Sequence, residues 1–273
     1  MSAPQTVAPL GRLVLEPIVG KGWIKGDNYL TLNVWAPENG KKLPVMVYIH
    51  GGAFTLGSKD ASVYNGTSFA KSGVVCVNIN YRLGIDGFLA IPGVPTNLGL
   101  RDMLFALEWV KENVIKFGGD PQNVTIFGES AGGTATACLV VSPLSKGLFS
   151  KAIIQSGPAV YVQSKEISLR VVNELAKKLK IKPEVYGFAS VSPEDCLEAI
   201  SKIAKPGKVN LKNENGIDVT FGSKFSHVFG DDVLPEQPII LLRKGAGKEI
   251  PLLITTTSNE ANIFLVPTDV LWV

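Results

Sequence analysis

Short apolar segments rich in Val and Ile recur along the chain, and segments with a helical spacing of apolar residues lie between them. The apolar segments are LPVMVYIHG (43–51), VVCVNINY (74–81), NVTIFG (123–128), KAIIQSG (151–157) and PLLITTT (251–257). Nearly continuous apolar strands that alternate with helices are typical of a parallel sheet covered on both faces. The pattern predicts an α/β fold with a mostly parallel central sheet and helices on both of its faces.

The clearest helical pattern falls between the second and third of these strands, over residues 99–117. Its apolar positions share one helical face and are Leu100, Leu104, Leu107 and Val110. Gly118 and Gly119, with Pro121 just beyond, form a helix-stop signal. Near the start of the chain, YLTLNVWAP (29–37) alternates between apolar and polar residues, which predicts an antiparallel strand leading into a mixed sheet.

Residues 160–205 differ in character from the rest of the chain. They contain two helical patterns, SLRVVNELAKKLKI and SPEDCLEAISKIAK, and the second begins with a capping box from Ser192 to Asp195. We expect a helical excursion packed against the sheet at about 160–205. The polar stretch that follows, residues 205–232, predicts a long loop with room for one short strand pair. No repeat or boundary divides the sequence, so we expect a single domain over residues 1–273.

Composition and charge exclude several classes of function. The chain has 27 basic and 24 acidic residues without a dense run of Lys or Arg, so we expect neither a nucleic-acid nor a membrane partner. Cys76, Cys138 and Cys196 are widely spaced and odd in number, and the first two lie in apolar segments, which favours buried thiols over a disulfide framework. The first ten residues lack a signal-peptide pattern, so the chain as written is predicted to be soluble and cytoplasmic.

A Gly-x-Ser-x-Gly motif carries the strongest chemical signal. Gly128-Glu129-Ser130-Ala131-Gly132 follows a predicted strand and precedes a predicted helix. Such a sharp strand-to-helix turn lifts the serine hydroxyl above the sheet, and the helix start supplies unpaired N–H groups where an oxyanion would form. The same letters in an ordinary loop would more often be a structural turn, but this context favours Ser130 as a nucleophile.

The segment His50-Gly51-Gly52-Ala53-Phe54 comes directly after the strand VMVYI. A glycine-rich turn at that point can direct main-chain N–H groups into a cavity, and the N–H of the residue after the serine adds a further donor. A tight strand-exit turn would explain the two glycines equally well by itself. Together with the serine motif, the segment favours an oxyanion hole.

Five blocks of this sequence resemble the successive signature blocks of type B carboxylesterases, the cholinesterase-like family with the α/β-hydrolase fold. The blocks are LPVMVYIHGGAF, NINYRLG, FGGDPQNVTIFGESAGG, GLFSKAIIQSG and LLITTTSNEANIF, and they occur in family order over most of residues 25–265. Agreement over five ordered blocks is far more specific than one pentapeptide. The resemblance implies hydrolysis of a small-molecule carboxylic ester through an acyl-serine intermediate, without a metal or an organic cofactor.

The resemblance also implies roles for individual residues. Ser130 would be the nucleophile, the backbone N–H groups of Gly52, Ala53 and Ala131 would form the oxyanion hole, and Glu260 would be the acid. Glu260 follows the strand PLLITTT, and ligands of open α/β sheets bind beyond the carboxyl ends of the strands. A lone loop glutamate is otherwise usually a solvated surface residue.

Two roles are open for Glu129, which is next to the nucleophile in the sequence. It could shape the electric field of the site, or it could pair with Arg82 or Arg101. Asp102 is placed similarly, and we assign neither acid a catalytic role.

The sequence departs from the family in its histidines. A serine nucleophile needs a base within hydrogen-bond reach. The chain has two histidines: His50 lies in the oxyanion turn, where the family counterpart is structural, and His227 precedes GDDVLPEQP, a block without a basic role in the family. A packing or surface role is the more usual one for both, and the sequence leaves open whether either serves as the base. We expect the loss of the family histidine to impair catalysis.

The family histidine follows the acid far downstream, whereas this sequence ends at Val273 and resembles the family only from Asp27 onward. We therefore hypothesise a chain shortened at both ends that lacks the C-terminal strand and helices of the family. The strand PLLITTT would then leave an apolar sheet edge, covered by the tail ANIFLVPTDVLWV or by self-association with a second copy.

Two functions remain open from sequence. The first is a serine carboxylesterase acting on short or aromatic esters, favoured by the intact FGESAGG segment. The second is a non-catalytic binding or scaffold module of the same fold, favoured by the missing base.

Overall fold

The computed structural model describes residues 1–218, 220 and 222–265 of the protein. Its strands are β1 Leu32–Trp35, β2 Leu43–Ile49, β3 Val75–Ile79, β4 Gly119–Glu129, β5 Lys151–Gln155, β6 Val162–Ser164, β7 His227–Phe229 and β8 Leu252–Thr255. Its helices are α1 Glu16–Val19, α2 Thr67–Lys71, α3 Gly84–Phe88, α4 Leu98–Asn113, α5 Ala131–Val141, α6 Lys165–Leu179, α7 Val185–Ala189, α8 Pro193–Ile203, α9 Pro238–Arg243 and α10 Asn262–Leu265.

Within those residues, six strands form one sheet in the order β1-β3-β2-β4-β5-β8. The leading strand β1 is antiparallel to β3, and every other neighbouring pair is parallel. The predicted mostly parallel sheet with an antiparallel first strand is therefore confirmed. All five residues of β3 are buried, and since neighbouring side chains on a strand point to opposite faces, both faces of the sheet are covered there.

The helix predicted from residue 99 onward is α4, whose four predicted face residues are all buried. It continues into a 3₁₀ turn, Val114–Phe117, and ends at Gly118, where a φ of 79° requires the left-handed conformation that glycine adopts readily. The serine motif is followed by α5, in which every residue is buried. Contacts of α4 and α5 with β4 hold this strand in the middle of the molecule.

Helices α6, α7 and α8 occupy the stretch predicted as a helical excursion, and α6 packs on α8. Half of the predicted capping box is present, because the Asp195 N–H donates to the Ser192 hydroxyl over 3.1 Å, whereas the Asp195 carboxylate accepts the Ser192 hydroxyl, not its N–H. The short helix α7 was not predicted. The stretch predicted as a long loop contains the strand β7. Its parallel partner is β6, which precedes that stretch in the sequence. Cys76 and Cys138 are buried, as predicted.

The far edge of the sheet differs from its centre. All four residues of β8 are exposed, and among the described residues β8 pairs on one side only, with β5. Most of the tail expected to cover this edge, residues 266–273, lies outside the described residues. In the described chain, no helix has both the length and the apolar character needed to cross a bilayer.

Candidate active site

The parallel strands β2, β4, β5 and β8 end at the same edge of the sheet. Their registers pair Ile49 with Gly128, Glu129 with Gln155, and Gln155 with Thr255. The segments that follow the four strands therefore begin next to one another at this edge. They carry the glycine turn, Ser130, Ser156 and Glu260, in that order across the sheet.

Ser130 occupies the turn between β4 and α5 with a φ of 56° and a ψ of −119°. A non-glycine residue with positive φ is strained and persists only where surrounding contacts enforce it. Two backbone hydrogen bonds do so here. The Ser130 N–H donates to the Gln155 carbonyl over 2.9 Å, and the Ser130 carbonyl accepts from the Thr134 N–H at 2.9 Å.

The glycines of the motif permit this turn through close backbone approach. A Cβ at Gly132 would overlap the carbonyl oxygen of Ile49 at the end of β2, and a Cβ at Gly128 would lie 2.5 Å from the Gly132 carbonyl carbon. Ile49 ends β2 and Gly132 lies in the first turn of the buried helix α5, so neither carbonyl can shift without disturbing a packed element. Glycine at these two positions is thus a steric requirement, as the motif predicted.

The glycine turn after β2 lies directly against the nucleophile. A Cβ at Gly51 would lie 3.3 Å from the Ser130 Cβ and 3.0 Å from the Glu129 Oε2. Gly52, Ala53 and Phe54 all have positive φ, at 115°, 52° and 60°. The Gly52 carbonyl accepts the N–H groups of Thr55 and Leu56, each over 3.0 Å, so the turn is fixed by its own backbone.

Three backbone N–H groups near Ser130 are available to a ligand. Those of Gly52 and Ala53 form no hydrogen bond with an acceptor in the described part of the chain. Ala131 is the first residue of α5, where an N–H has no partner within the helix. The sequence analysis assigned the oxyanion hole to these three N–H groups, and that role stays a prediction.

Glu260 is exposed in the segment after β8. The Ser156 side chain and the Thr257 N–H, which donates to Oε1 over 2.8 Å, hold the pKa of Glu260 below its usual value. Ser156 itself has a φ of 49°, and its N–H donates to the Thr255 carbonyl at 2.8 Å. The sequence reasoning missed Ser156, although its position at the end of a strand, in KAIIQSG, was a usable signal.

Glu129 pairs with neither arginine considered for it. Arg82 forms a two-pronged ion pair with Asp102, at 2.6 and 2.8 Å, and Arg101 bonds to Asp232. Part of the Glu129 side chain reaches solvent, but burial of the rest raises its pKa, and the negative charge of Glu260 raises it further. The charges of the two carboxylates therefore interact with each other.

Both histidines are packing residues. His50 is buried, its Nδ1 lies 2.8 Å from the Gly51 carbonyl oxygen, and its ring stacks on Tyr81. His227 is fully buried against Phe54 and Phe88, with ring centroids 4.8 and 5.3 Å away, and neither ring nitrogen has a partner among the described residues. Burial lowers the pKa of His50 to about 4 and that of His227 to about 3, so both are neutral at pH 7.

Comparison with known proteins supplies context for this arrangement. The sequence model of the Carboxylesterase family matches residues 7–269. A para-nitrobenzyl esterase of Bacillus subtilis is 41% identical over 250 residues, which cover 89% of this chain and 49% of that protein. Human carboxylesterase 5A is 36% identical over 88% of this chain and 40% of its own length.

Solved structures agree with the sequence relatives. A thermophilic para-nitrobenzyl esterase superposes with a TM-score of 0.83 at 36% identity, over 96% of this chain and 53% of that one. A carboxylesterase of Geobacillus stearothermophilus gives a TM-score of 0.76 at 38% identity, over 88% of this chain and 49% of that one. The chain spans about half the length of the relatives it matches.

Proposed function

Because this chain belongs to the carboxylesterase family, we propose that it carries the nucleophile, oxyanion hole and acid of a serine carboxylesterase for small carboxylic esters. One observation carries the proposal: Ser130 is held at positive φ between β4 and α5, with the Gly51 turn against it. Strain of this kind is kept where function needs it. The Ser156 side chain, directly after β5, is the main cause of the lowered pKa of Glu260, and this supports the acid role.

In the proposed reaction, the Ser130 Oγ attacks the ester carbonyl carbon while its proton passes to a base. The carbonyl oxygen becomes an oxyanion, which accepts hydrogen bonds from the N–H groups of Gly52, Ala53 and Ala131. Collapse of this intermediate expels the alcohol, which takes the proton, and leaves an acyl group on Ser130. Water then attacks the acyl group by the same steps and releases the carboxylic acid.

The base in this scheme is neither histidine of the chain. Both rings are enclosed, and the burial that lowers their pKa values makes them poor proton acceptors. Loss of a triad base costs about a million-fold in turnover, while an oxyanion hole with substrate binding retains roughly a thousand-fold over water. We therefore expect the chain alone to be a weak esterase that an external base improves.

The test combines labelling with chemical rescue. A fluorophosphonate probe followed by peptide mass spectrometry should place an adduct on Ser130. Hydrolysis of p-nitrophenyl acetate should rise when imidazole is added, after subtraction of the reaction of imidazole itself. Ser130→Ala should lose both signals, while Ser68→Ala, a change at an exposed serine of α2, should keep both.

A non-catalytic binding or scaffold role is the second candidate, favoured by the enclosure of both histidines. It predicts no adduct at Ser130 under conditions that label an ordinary serine esterase, and no rescue by imidazole. These two results together would replace the first proposal by the second.

A further inference from the structure

A cavity of about 210 Å³ lies between α3 on one side and α7 and α8 on the other. Its walls include Leu83 and Ile85, which are buried, with Phe188 of α7 and Ile200 of α8 opposite. The two sides approach closely, because a Cβ at Gly84 would lie 3.4 Å from the Ile200 Cδ1. None of these residues belongs to the proposed active site.

The polar groups of this cavity are few. Among the described residues that line it, Asp86 is the single carboxylate, and Cys196 is the other ionisable group. Burial, with the nearby charge of Asp86, raises the pKa of the Cys196 thiol to about 11, so the thiol is neutral at pH 7. The cavity therefore presents one negative charge to an otherwise apolar space.

Asp86 lines the cavity and is exposed to solvent. It forms no hydrogen bond or ion pair with any described residue, and the nearest arginine, Arg82, is bound to Asp102. The apolar wall raises the pKa of the Asp86 carboxyl by desolvation, and the charge of Arg82 offsets only part of this. An exposed carboxylate beside an apolar wall can form a charge-assisted hydrogen bond with a cation whose apolar part fills the cavity.

We propose that this cavity is a binding site for a small ammonium ion with an apolar body. The body would lie among Leu83, Ile85, Phe188 and Ile200, and the ammonium group would pair with the exposed carboxylate of Asp86. An engineered protein cavity of about 150 Å³ lined by Leu, Ile and Phe binds benzene. The present cavity has a larger volume, about 210 Å³, so benzylammonium, a benzene ring with one short substituent, is a suitable probe.

The experiment is a titration of the folded chain with benzylammonium, followed by methyl NMR. The methyl groups of Ile85, Leu83 and Ile200 should shift, and those of Ile126 in the central sheet should not. A ligand of this size should bind with a Kd of about 1 mM. Benzyl alcohol, which has nearly the same shape without the charge, should bind about fivefold more weakly.

Two variants test whether the charge of Asp86 is what strengthens benzylammonium binding. Asp86→Asn should weaken benzylammonium binding about fivefold and leave benzyl alcohol unchanged. Glu112→Gln, a change at an exposed acid of α4, should alter neither. Equal affinity of the unaltered chain for the two ligands would overturn the proposal even if Asp86→Asn failed to fold. Shifts centred away from the cavity, or no binding up to about 20 mM, would overturn it as well.

Discussion

Ser130 and Glu260 leave the same edge of one sheet, yet their surroundings are opposite. Around Ser130, β2, β4 and β5 pair with neighbours on both sides, and α5 behind it is buried throughout. Around Glu260, every residue from 251 to 263 is exposed. The first region is fixed by contacts within the described chain, whereas the second is held through one strand partner and a few polar bonds.

The nucleophile turn and the acid of the proposed catalytic site therefore depend on different structural features. The nucleophile turn depends on close backbone approach, which a few hydrogen bonds and glycines secure locally. The acid depends on β8, whose apolar residues are exposed. Changes in the first region should therefore affect folding strongly, and changes in the second should mainly affect association and titration.

The largest effect is expected from Gly132→Ala. The new Cβ would overlap the Ile49 carbonyl at the end of β2 and lie 2.8 Å from the His50 carbonyl, which accepts the Tyr81 hydroxyl. We expect a loss of more than about 4 kcal/mol in the free energy of unfolding, measured by urea denaturation. The control is Gly216→Ala, where φ is 74° but the space is open, with an expected cost of about 1 kcal/mol. Equal costs would show that the tight region is less rigid than its contacts indicate.

The second effect is the pH dependence of stability caused by His227, whose buried ring packs against Phe54 of the glycine turn. His227 is neutral in the fold, with a pKa lowered to about 3, while an unfolded histidine titrates near about 6.5. The unfolded chain thus binds more protons below pH 6.5, and stability is lost as the pH falls from there towards 3. Between pH 7 and pH 4 this amounts to about 3 kcal/mol.

His227→Phe should remove that loss, because a phenyl ring suits the contacts with Phe54 and Phe88 and carries no proton. The free energy of unfolding at both pH values provides the measurement. His50 is present in both proteins, so its own titration cancels in the difference. Identical pH dependence in the two proteins would mean that His227 is not enclosed as described.

Sequence reasoning succeeded for the compact region because its signals are local. The turn at Ser130 was predictable since strand, small residues and helix are adjacent in the chain. The pairing of β7 with β6 was not, because the paired residues Val162 and His227 are far apart in sequence and neither segment has a strong strand pattern. Likewise, nothing local shows that Arg82 selects Asp102 rather than Glu129.

The third effect tests the open edge. Two copies could pair through β8 without repulsion, because Leu252–Thr255 contains no charge, and exposed apolar edges favour such association. Ile254→Lys should lower the association constant at least about 30-fold, or about 2 kcal/mol, in sedimentation velocity. Val63→Lys, at a residue exposed by 58% against 63% for Ile254, should leave association unchanged. A chain that stays monomeric without any substitution would contradict self-association through β8.

The smallest effect concerns the interaction between the charges of Glu129 and Glu260, which belong to the two regions. Ser156→Ala should raise the pKa of Glu260 towards its ordinary value, because the Ser156 side chain is the main group that lowers it. Glu260→Gln should in turn lower the pKa of Glu129, since the charge that raises it is gone. Ser258→Ala is the matched control in the same loop. Carboxyl ¹³C NMR titrations measure both values; if Ser258→Ala shifts Glu260 as much as Ser156→Ala, then β5 does not position the acid.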